Sequence, residues 1–164
     1  MFKFKKSLGQ NFLKDQNIIR KIVSSGLIKN RNILEIGPGK GSLTFEILKY
    51  NPKSLILIEK DNLLFKYLKE NINLRNTKIY NNDILKVNIE KILKVNSIVF
   101  GNLPYNISTQ ILIKFIKLNR SLPKLSKLYF MFQKEVGKKI LAKNNEKDYG
   151  RISIMSRYRF KVNN

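Results

Sequence analysis

The stretch Asn32-Ile-Leu-Glu35-Ile-Gly37-Pro-Gly39-Lys-Gly41-Ser42-Leu-Thr44 decides the fold. Asn32–Ile36 is a short apolar run ending in glycines, the pattern of a buried strand. Ser42 can cap the helix that follows, which must end before Asn51-Pro52 because a residue ahead of proline avoids the helical region. The same alternation then repeats. Ser54–Glu59 reads as a second buried strand and Asn62–Asn71 as a helix with Leu64, Tyr67 and Leu68 on its buried face. Thr77–Tyr80 is a third strand, Ile89–Leu93 a brief helix, and Ser97–Phe100 a fourth strand. Ser108 can cap an amphipathic helix carrying Ile111, Leu112, Phe115 and Ile116. Leu128–Phe132 is a fifth strand, Glu135–Ala142 a helix, Asn144–Gly150 a polar loop and Arg151–Tyr158 a last helix. Upstream, Asp15 can cap a helix with Ile18, Ile19, Ile22 and Val23 on one face, stopping near Gly26. Residues 1–13 form a basic arm. Strands alternating with helices predict an α/β fold whose mainly parallel sheet is covered on both faces.

A chain of 164 residues with 43% hydrophobic content is one domain's length and buries a substantial core. No apolar run approaches the ~18 residues of a membrane span, and the basic start lacks a secretory apolar segment. Cys and His are both absent. That excludes disulfides, thiolate nucleophiles, Ser-His-Asp triads and the common zinc sites, and no metal is expected. Lys and Arg total 33 against 11 Asp and Glu, a net charge of +22. Such an excess points to a polyanion, most simply nucleic acid. Lys, Asn and Ile, at 26, 20 and 22 residues, all have A/T-rich codons. Part of the charge is therefore consistent with coding bias, and the function cannot rest on it.

In open parallel sheets, ligands bind beyond the carboxyl ends of the strands at the topological switch point. The irregular polar residues gather there: Gly37–Gly41 after the first strand, Glu59 at the end of the second, Asp83 after the third, and Asn102–Tyr105 after the fourth. Glycines let the backbone turn tightly and approach a ligand without an intervening Cβ. The E-x-G-x-G-x-G form is neither a P-loop nor the dinucleotide fingerprint; alone, it is equally consistent with a plain strand–helix turn. Glu59 follows about 20 residues later, where an acidic side chain can accept both hydroxyls of a ribose. Asp83 is placed to accept from an adenine amino group. Both acids can also be read as caps of the segments that follow them. Together they describe an adenosine cofactor without phosphates. S-adenosylmethionine fits, its carboxylate meeting the N–H groups at a helix start and its sulfonium suiting nearby carboxylates.

Asn102-Leu103-Pro104-Tyr105 lies opposite the donor end. Pro104 keeps Leu103 out of the helical region, freeing its carbonyl to point into the crevice. The Asn102 side-chain oxygen and the Leu103 carbonyl can hold the two N–H groups of an exocyclic amine, whose lone pair is otherwise delocalised. Tyr105 offers a face for an extruded base. On this reading Asn102, Leu103 and Tyr105 are the catalytic set, and methyl transfer needs positioning more than a strong base. In isolation the tetrapeptide reads as a turn with a buried Tyr.

The sequence resembles the small-subunit (16S) rRNA adenine-N6,N6-dimethyltransferase family. The residues that carry the resemblance are Ser7-Leu-Gly-Gln-Asn11-Phe-Leu13, Leu34 to Thr44, Ile58-Glu-Lys-Asp61, Asn82-Asp83, Gly101-Asn-Leu-Pro-Tyr-Asn-Ile-Ser108, Gln133-Lys-Glu-Val136 and Tyr149-Gly-Arg-Ile-Ser153. The resemblance implies a Rossmann-like class I methyltransferase that dimethylates N6 of two adjacent adenosines near the 3′ end of small-subunit rRNA. It implies S-adenosylmethionine bound by Asn11, Leu13, Gly37, Gly39, Glu59, Asp83 and Asn102, with Asn11 and Leu13 in a flap over the methionine end. An immature 30S-type particle would be the partner, and the protein a cytoplasmic monomer that binds neither metal nor membrane.

Family members continue past the equivalent of this chain's last residues, with two more strands, a second aromatic facing the target base and a small helical domain. The expectation is therefore a methyltransferase domain over residues 1–164 lacking the last strands and the C-terminal RNA-docking domain. That raises a rival reading, a catalytically weak RNA-binding assembly factor. The related erythromycin-resistance methyltransferases, which act on 23S rRNA, share most of the motifs and are a second alternative. Lys124, Lys127, Lys134, Lys138, Lys139 and Arg151 can form part of a phosphate-tracking surface, or be ordinary solvated charges.

Overall fold

The apolar runs become strands because each alternates its side chains between two helical layers. The computed structural model describes residues 13–118 and 125–163. Its strands are β1 (Asn32–Ile36), β2 (Ser54–Glu59), β3 (Thr77–Asn81), β4 (Ser97–Asn102) and β5 (Leu125–Met131), interleaved with helices α1 (Gln16–Ser24), α2 (Ser42–Lys49), α3 (Asn62–Asn71), α4 (Ile89–Ile92), α5 (Ser108–Ile116), α6 (Lys134–Leu141) and α7 (Arg151–Arg159). All strand pairs are parallel, in the order β3-β2-β1-β4-β5. The α/β expectation holds.

Side chains of successive strand residues point to opposite faces. Ile33, Leu55, Leu57, Ile98 and Phe100 pack on one face against Ile19 and Val23 of α1, Leu43 and Ile47 of α2 and Leu68 of α3. Leu34, Ile36, Ile56, Ile58 and Val99 face the other way, onto Ile89 of α4 and Ile111 and Phe115 of α5. A strand buried on both faces has no polar alternation, so it reads as a continuous apolar run. Glu35 shares the Ile33 face and is the exception in β1, addressed below.

Caps and boundaries show where local signals fall short. Asp15 does cap α1, its carboxylate accepting from Asn17 N at 2.8 Å and Ile18 N at 3.2 Å. Ile18 itself is exposed, so the buried stripe of α1 is Ile19 and Val23. Ser42 and Ser108 are not caps: they are the first helical residues, after Gly41 and Ile107. Gly41 enters α2 at φ +81°, and an alanine Cβ there would stand 2.7 Å from the Phe45 ring, so a backbone bend takes the place of a side-chain cap. Leu64 and Leu68 are buried on α3 as expected, with Tyr67 partly buried. β4 extends to Asn102, carrying Gly101 and Asn102 into the sheet. β5 starts at Leu125 rather than Leu128 and ends at Met131. β3 and β5 are the sheet edges among the described residues, so β5 is paired on one side and its burial pattern is weak. No helix among the described residues is long and apolar enough to cross a membrane.

The strand order reverses at β1, between β2 and β4. The loops after β1 and β4 therefore diverge at their carboxyl ends and leave a crevice between them.

Candidate active site

One cavity fills that crevice, with about 970 Å³ of space counting its open mouth. That lies within the size range of small-molecule sites. Its walls come from all the predicted strand ends: Gly37, Pro38, Gly39 and Ser42 after β1, Glu59 and Lys60 after β2, Asn82 and Asp83 after β3, and Asn102, Pro104 and Asn106 after β4. Leu13 closes one side. Of the expected cofactor residues, Leu13, Gly37, Gly39, Glu59, Asp83 and Asn102 are thus brought together. Asn11 lies outside the described residues, as does Lys124.

Gly37, Gly39 and Gly41 all have positive φ, at +63°, +61° and +81°. At Gly37 a Cβ would project toward the main-chain oxygen of Asn102, 4.0 Å away, with no other such atom near it. It would stand in the cavity between the β1 and β4 ends. This glycine turn is therefore shaped to leave room for a ligand, the arrangement an adenosine-type cofactor needs.

Glu59 ties the turn down. Its Oε2 accepts from Gly39 N at 3.0 Å and its Oε1 from Asp61 N at 2.8 Å. The cap of α3 is Asp61, which accepts from Leu63 N and Leu64 N, so Glu59 is not a helix cap. A carboxylate has about four acceptor positions, so each Glu59 oxygen retains acceptor capacity for a ribose hydroxyl. Burial pushes its carboxyl above the usual range, against the two backbone N–H groups that favour the charge.

Asp83 is held differently. Its Oδ1 accepts from Leu85 N at 2.9 Å and its Oδ2 lies 2.9 Å from the Lys60 ammonium. Burial raises its pKa, but Lys60, the Leu85 N–H and Lys86 together outweigh that and hold it below the usual range. The cap-like contact and the cavity position coexist: Asp83 both closes its own turn and forms wall.

Glu35 was quoted in the glycine motif without a role. It is 1% exposed, lines the cavity floor and accepts from Thr44 Oγ1 of α2 at 2.7 Å. Burial pushes its carboxyl up to about 8, Thr44 opposes the shift and Glu59 adds to it. The cavity therefore carries three carboxyl groups, an environment suited to a cation. The alternation of β1 held the clue, since an acid there must face either a core or a cavity. Lys60 was likewise missed, having no signal beyond adjacency to Glu59.

On the substrate side, Asn102 and Pro104 line the cavity, whereas Leu103 and Tyr105 do not. The Leu103 side chain is 1% exposed and packs in the second core, so its contribution can only be its main chain. Tyr105 is 39% exposed at the outer side of the same turn. It is not the buried Tyr of an ordinary turn. The turn is fixed by Ile107 N donating to Pro104 O at 3.1 Å and Ser108 Oγ to Tyr105 O at 3.3 Å. Lys127, Lys134, Lys138, Lys139 and Arg151 are all exposed, on β5, α6 and the start of α7.

The family model described as ribosomal RNA adenine dimethylase matches residues 1–164. The chain is 50% identical over 160 residues to ribosomal RNA small subunit methyltransferase A of Pelagibacter ubique, covering 98% of this chain and 61% of that protein. Among solved structures, a dimethyladenosine transferase from Plasmodium falciparum superposes with a TM-score of 0.75 at 31% identity, over 90% of this chain and 52% of that one. The 23S rRNA methyltransferase ErmE superposes with a TM-score of 0.68 at 26% identity, over 89% of this chain and 55% of that one. The chain thus spans about 60% of the length of the curated relative it matches.

Proposed function

This chain belongs to the ribosomal RNA adenine dimethylase family, and we propose that it transfers methyl groups from S-adenosylmethionine to adenine N6 of small-subunit rRNA, dimethylating two adjacent adenosines near the 3′ end. The observation that carries the reading is the convergence of four strand ends on one cavity, with three carboxyl groups on one side and Asn102-Leu-Pro-Tyr on the other. The likeness to small-subunit enzymes at 50% identity supports that substrate over large-subunit RNA. In this account residues 1–164 act as one methyltransferase domain, a monomer in the cytoplasm working on an immature small ribosomal particle.

The cofactor, when bound, supplies an electrophilic methyl on a sulfonium that leaves as a neutral thioether. Leu13, Gly37, Gly39, Glu59, Asp83 and Asn102 would hold it. Glu59 positions the glycine turn and offers its spare lone pairs to the ribose. The Gly37–Gly41 turn leaves space for the methionine end beside the start of α2, where unpaired N–H groups attract a carboxylate. Asn102 and the Leu103 carbonyl accept from the two N–H groups of the target amine, favouring a pyramidal nitrogen with its lone pair toward the methyl. Tyr105 stacks on the extruded base. One N–C bond forms as the S–C bond breaks, and the amine proton leaves to water. No strong base is required, so the rate depends on alignment.

The test is incubation of the purified protein with labelled methyl donor and unmethylated small subunits. Label on adenine N6 of small-subunit rRNA is expected. Binding to particles without transfer would establish the assembly-factor reading instead, and label confined to 23S rRNA would move the protein to the erythromycin-resistance type.

A further inference from the structure

Lys60 sits in the turn between β2 and α3, and its side chain is 55% exposed while that of Asp83 is 16% exposed. Both line the same end of the cavity. The 2.9 Å contact between Lys60 Nζ and Asp83 Oδ2 crosses from the end of β2 to the end of β3. Asp83 is fixed from other directions as well. Its own N–H donates to Asn82 Oδ1 at 2.8 Å, and its Oδ1 accepts from Leu85 N at 2.9 Å. Lys114 reaches over from α5 to donate to the Leu85 carbonyl at 2.7 Å, holding that segment in place.

An ionised carboxylate only accepts hydrogen bonds, whereas a protonated one can also donate. Facing a purine, the ionised form pairs with an amino group at C6 and repels the lone pairs of a carbonyl oxygen there. The protonated form tolerates both. We propose that Lys60 is a positioning residue for base specificity: bridged to Asp83, it fixes that carboxylate as an acceptor-only group, so the cavity takes a 6-amino purine in preference to a 6-oxo purine. The inference rests on the adenosine-cofactor reading above and assigns Lys60 a role within it.

The charged groups around Asp83 make the consequence depend on pH. Lys60 comes from the β2–α3 turn and Lys86 from Asp83's own segment; Lys114 approaches from α5 through the Leu85 carbonyl, and Glu59 lies buried at the end of β2. Burial is the largest single influence on Asp83 and favours protonation. Removing Lys60 leaves the Leu85 N–H and Lys86 to oppose it, and the carboxyl then takes up a proton at a higher pH.

The experiment is calorimetric titration of the full chain with S-adenosylhomocysteine and with S-inosylhomocysteine, its 6-oxo counterpart, at pH 7.5 and pH 5.0. The unaltered protein is expected to prefer the 6-amino compound by about tenfold or more at both pH values, the scale of one discriminating hydrogen bond. Lys60→Met is expected to keep most of the preference at pH 7.5 and lose most of it at pH 5.0. Lys60→Arg should restore it at pH 5.0, because the guanidinium preserves the ion pair. A Lys60→Met protein with the full preference at pH 5.0, or one that binds the 6-amino compound more tightly at both pH values, overturns the inference. Failure of the unaltered protein to bind either compound overturns the cofactor assignment itself, and this inference with it.

Discussion

The Glu59 carboxylate accepts the Gly39 backbone N–H at 3.0 Å across the mouth of the sheet, so the end of β2 holds the glycine turn that follows β1. The same carboxylate also accepts from Asp61 N at 2.8 Å and is 6% exposed. One side chain thus links the shape of the donor cavity to the start of α3.

Glu59→Ala should weaken donor affinity by about tenfold or more. It strands two backbone N–H groups, at a cost of ~1–3 kcal/mol for each buried unsatisfied group, and removes the acceptor assigned to the ribose. Glu59→Gln, which keeps the shape and one acceptor oxygen, should fall between. Donor titration together with a thermal melt separates the two effects, and unchanged donor affinity in the alanine variant would count against the assignment.

Glu35 makes stability depend on pH. Its folded pKa is about 8 against an ordinary 4.5, so above 4.5 the folded state binds more protons than the unfolded state. The contribution is complete below about pH 4.5, declines as pH rises through about 8, and is then lost. Glu35→Gln, with Thr44 still able to bond it, should flatten this stretch of the stability curve. Urea midpoints from pH 5 to pH 9 for both proteins decide it: parallel curves would show that Glu35 titrates normally.

Tyr105→Ala should reduce methyl transfer strongly while leaving donor affinity unchanged, because Tyr105 lies outside the cavity wall and is 39% exposed. The loss of a stacking face is worth ~1–3 kcal/mol per base. Tyr105→Phe keeps that face and should retain most of the activity. Single-turnover rates with saturating donor are the appropriate measurement.

Gly101→Ala tests the turn geometry. The added Cβ would stand 2.5 Å from Leu103 Cδ2, and Leu103 is packed in the core with no free space to yield. The strain should displace the Leu103 main chain, lowering transfer more than donor binding. Equal transfer rates in the two proteins would mean that the Leu103 carbonyl is not a partner of the target amine.

The sheet was legible because buried parallel strands are continuous apolar runs, and each of these stops at Gly, Asn or an acid. Their convergence was legible from the same stops, since parallel strands place all carboxyl ends on one edge. Cap positions were less so. Ser42 and Ser108 look like caps in one dimension, but the left-handed bend of Gly41 and the turn through Ile107 do that work in the folded chain. The start of β5 was hidden because an edge strand is half covered, and Leu125–Lys127 carries no buried pattern. Glu35 and Lys60 escaped for a different reason: their significance lies in Thr44 and Asp83, partners 9 and 23 residues away in sequence.

The most direct measurement is a crystal structure of the chain soaked with S-adenosylmethionine. The account predicts adenosine between Glu59 and Asp83, the methionine end beside the Gly37–Gly41 turn, and the sulfonium methyl directed at Asn102. Ligand density in another part of the molecule, or an Asn102–Tyr105 turn rotated away from the methyl, would contradict it.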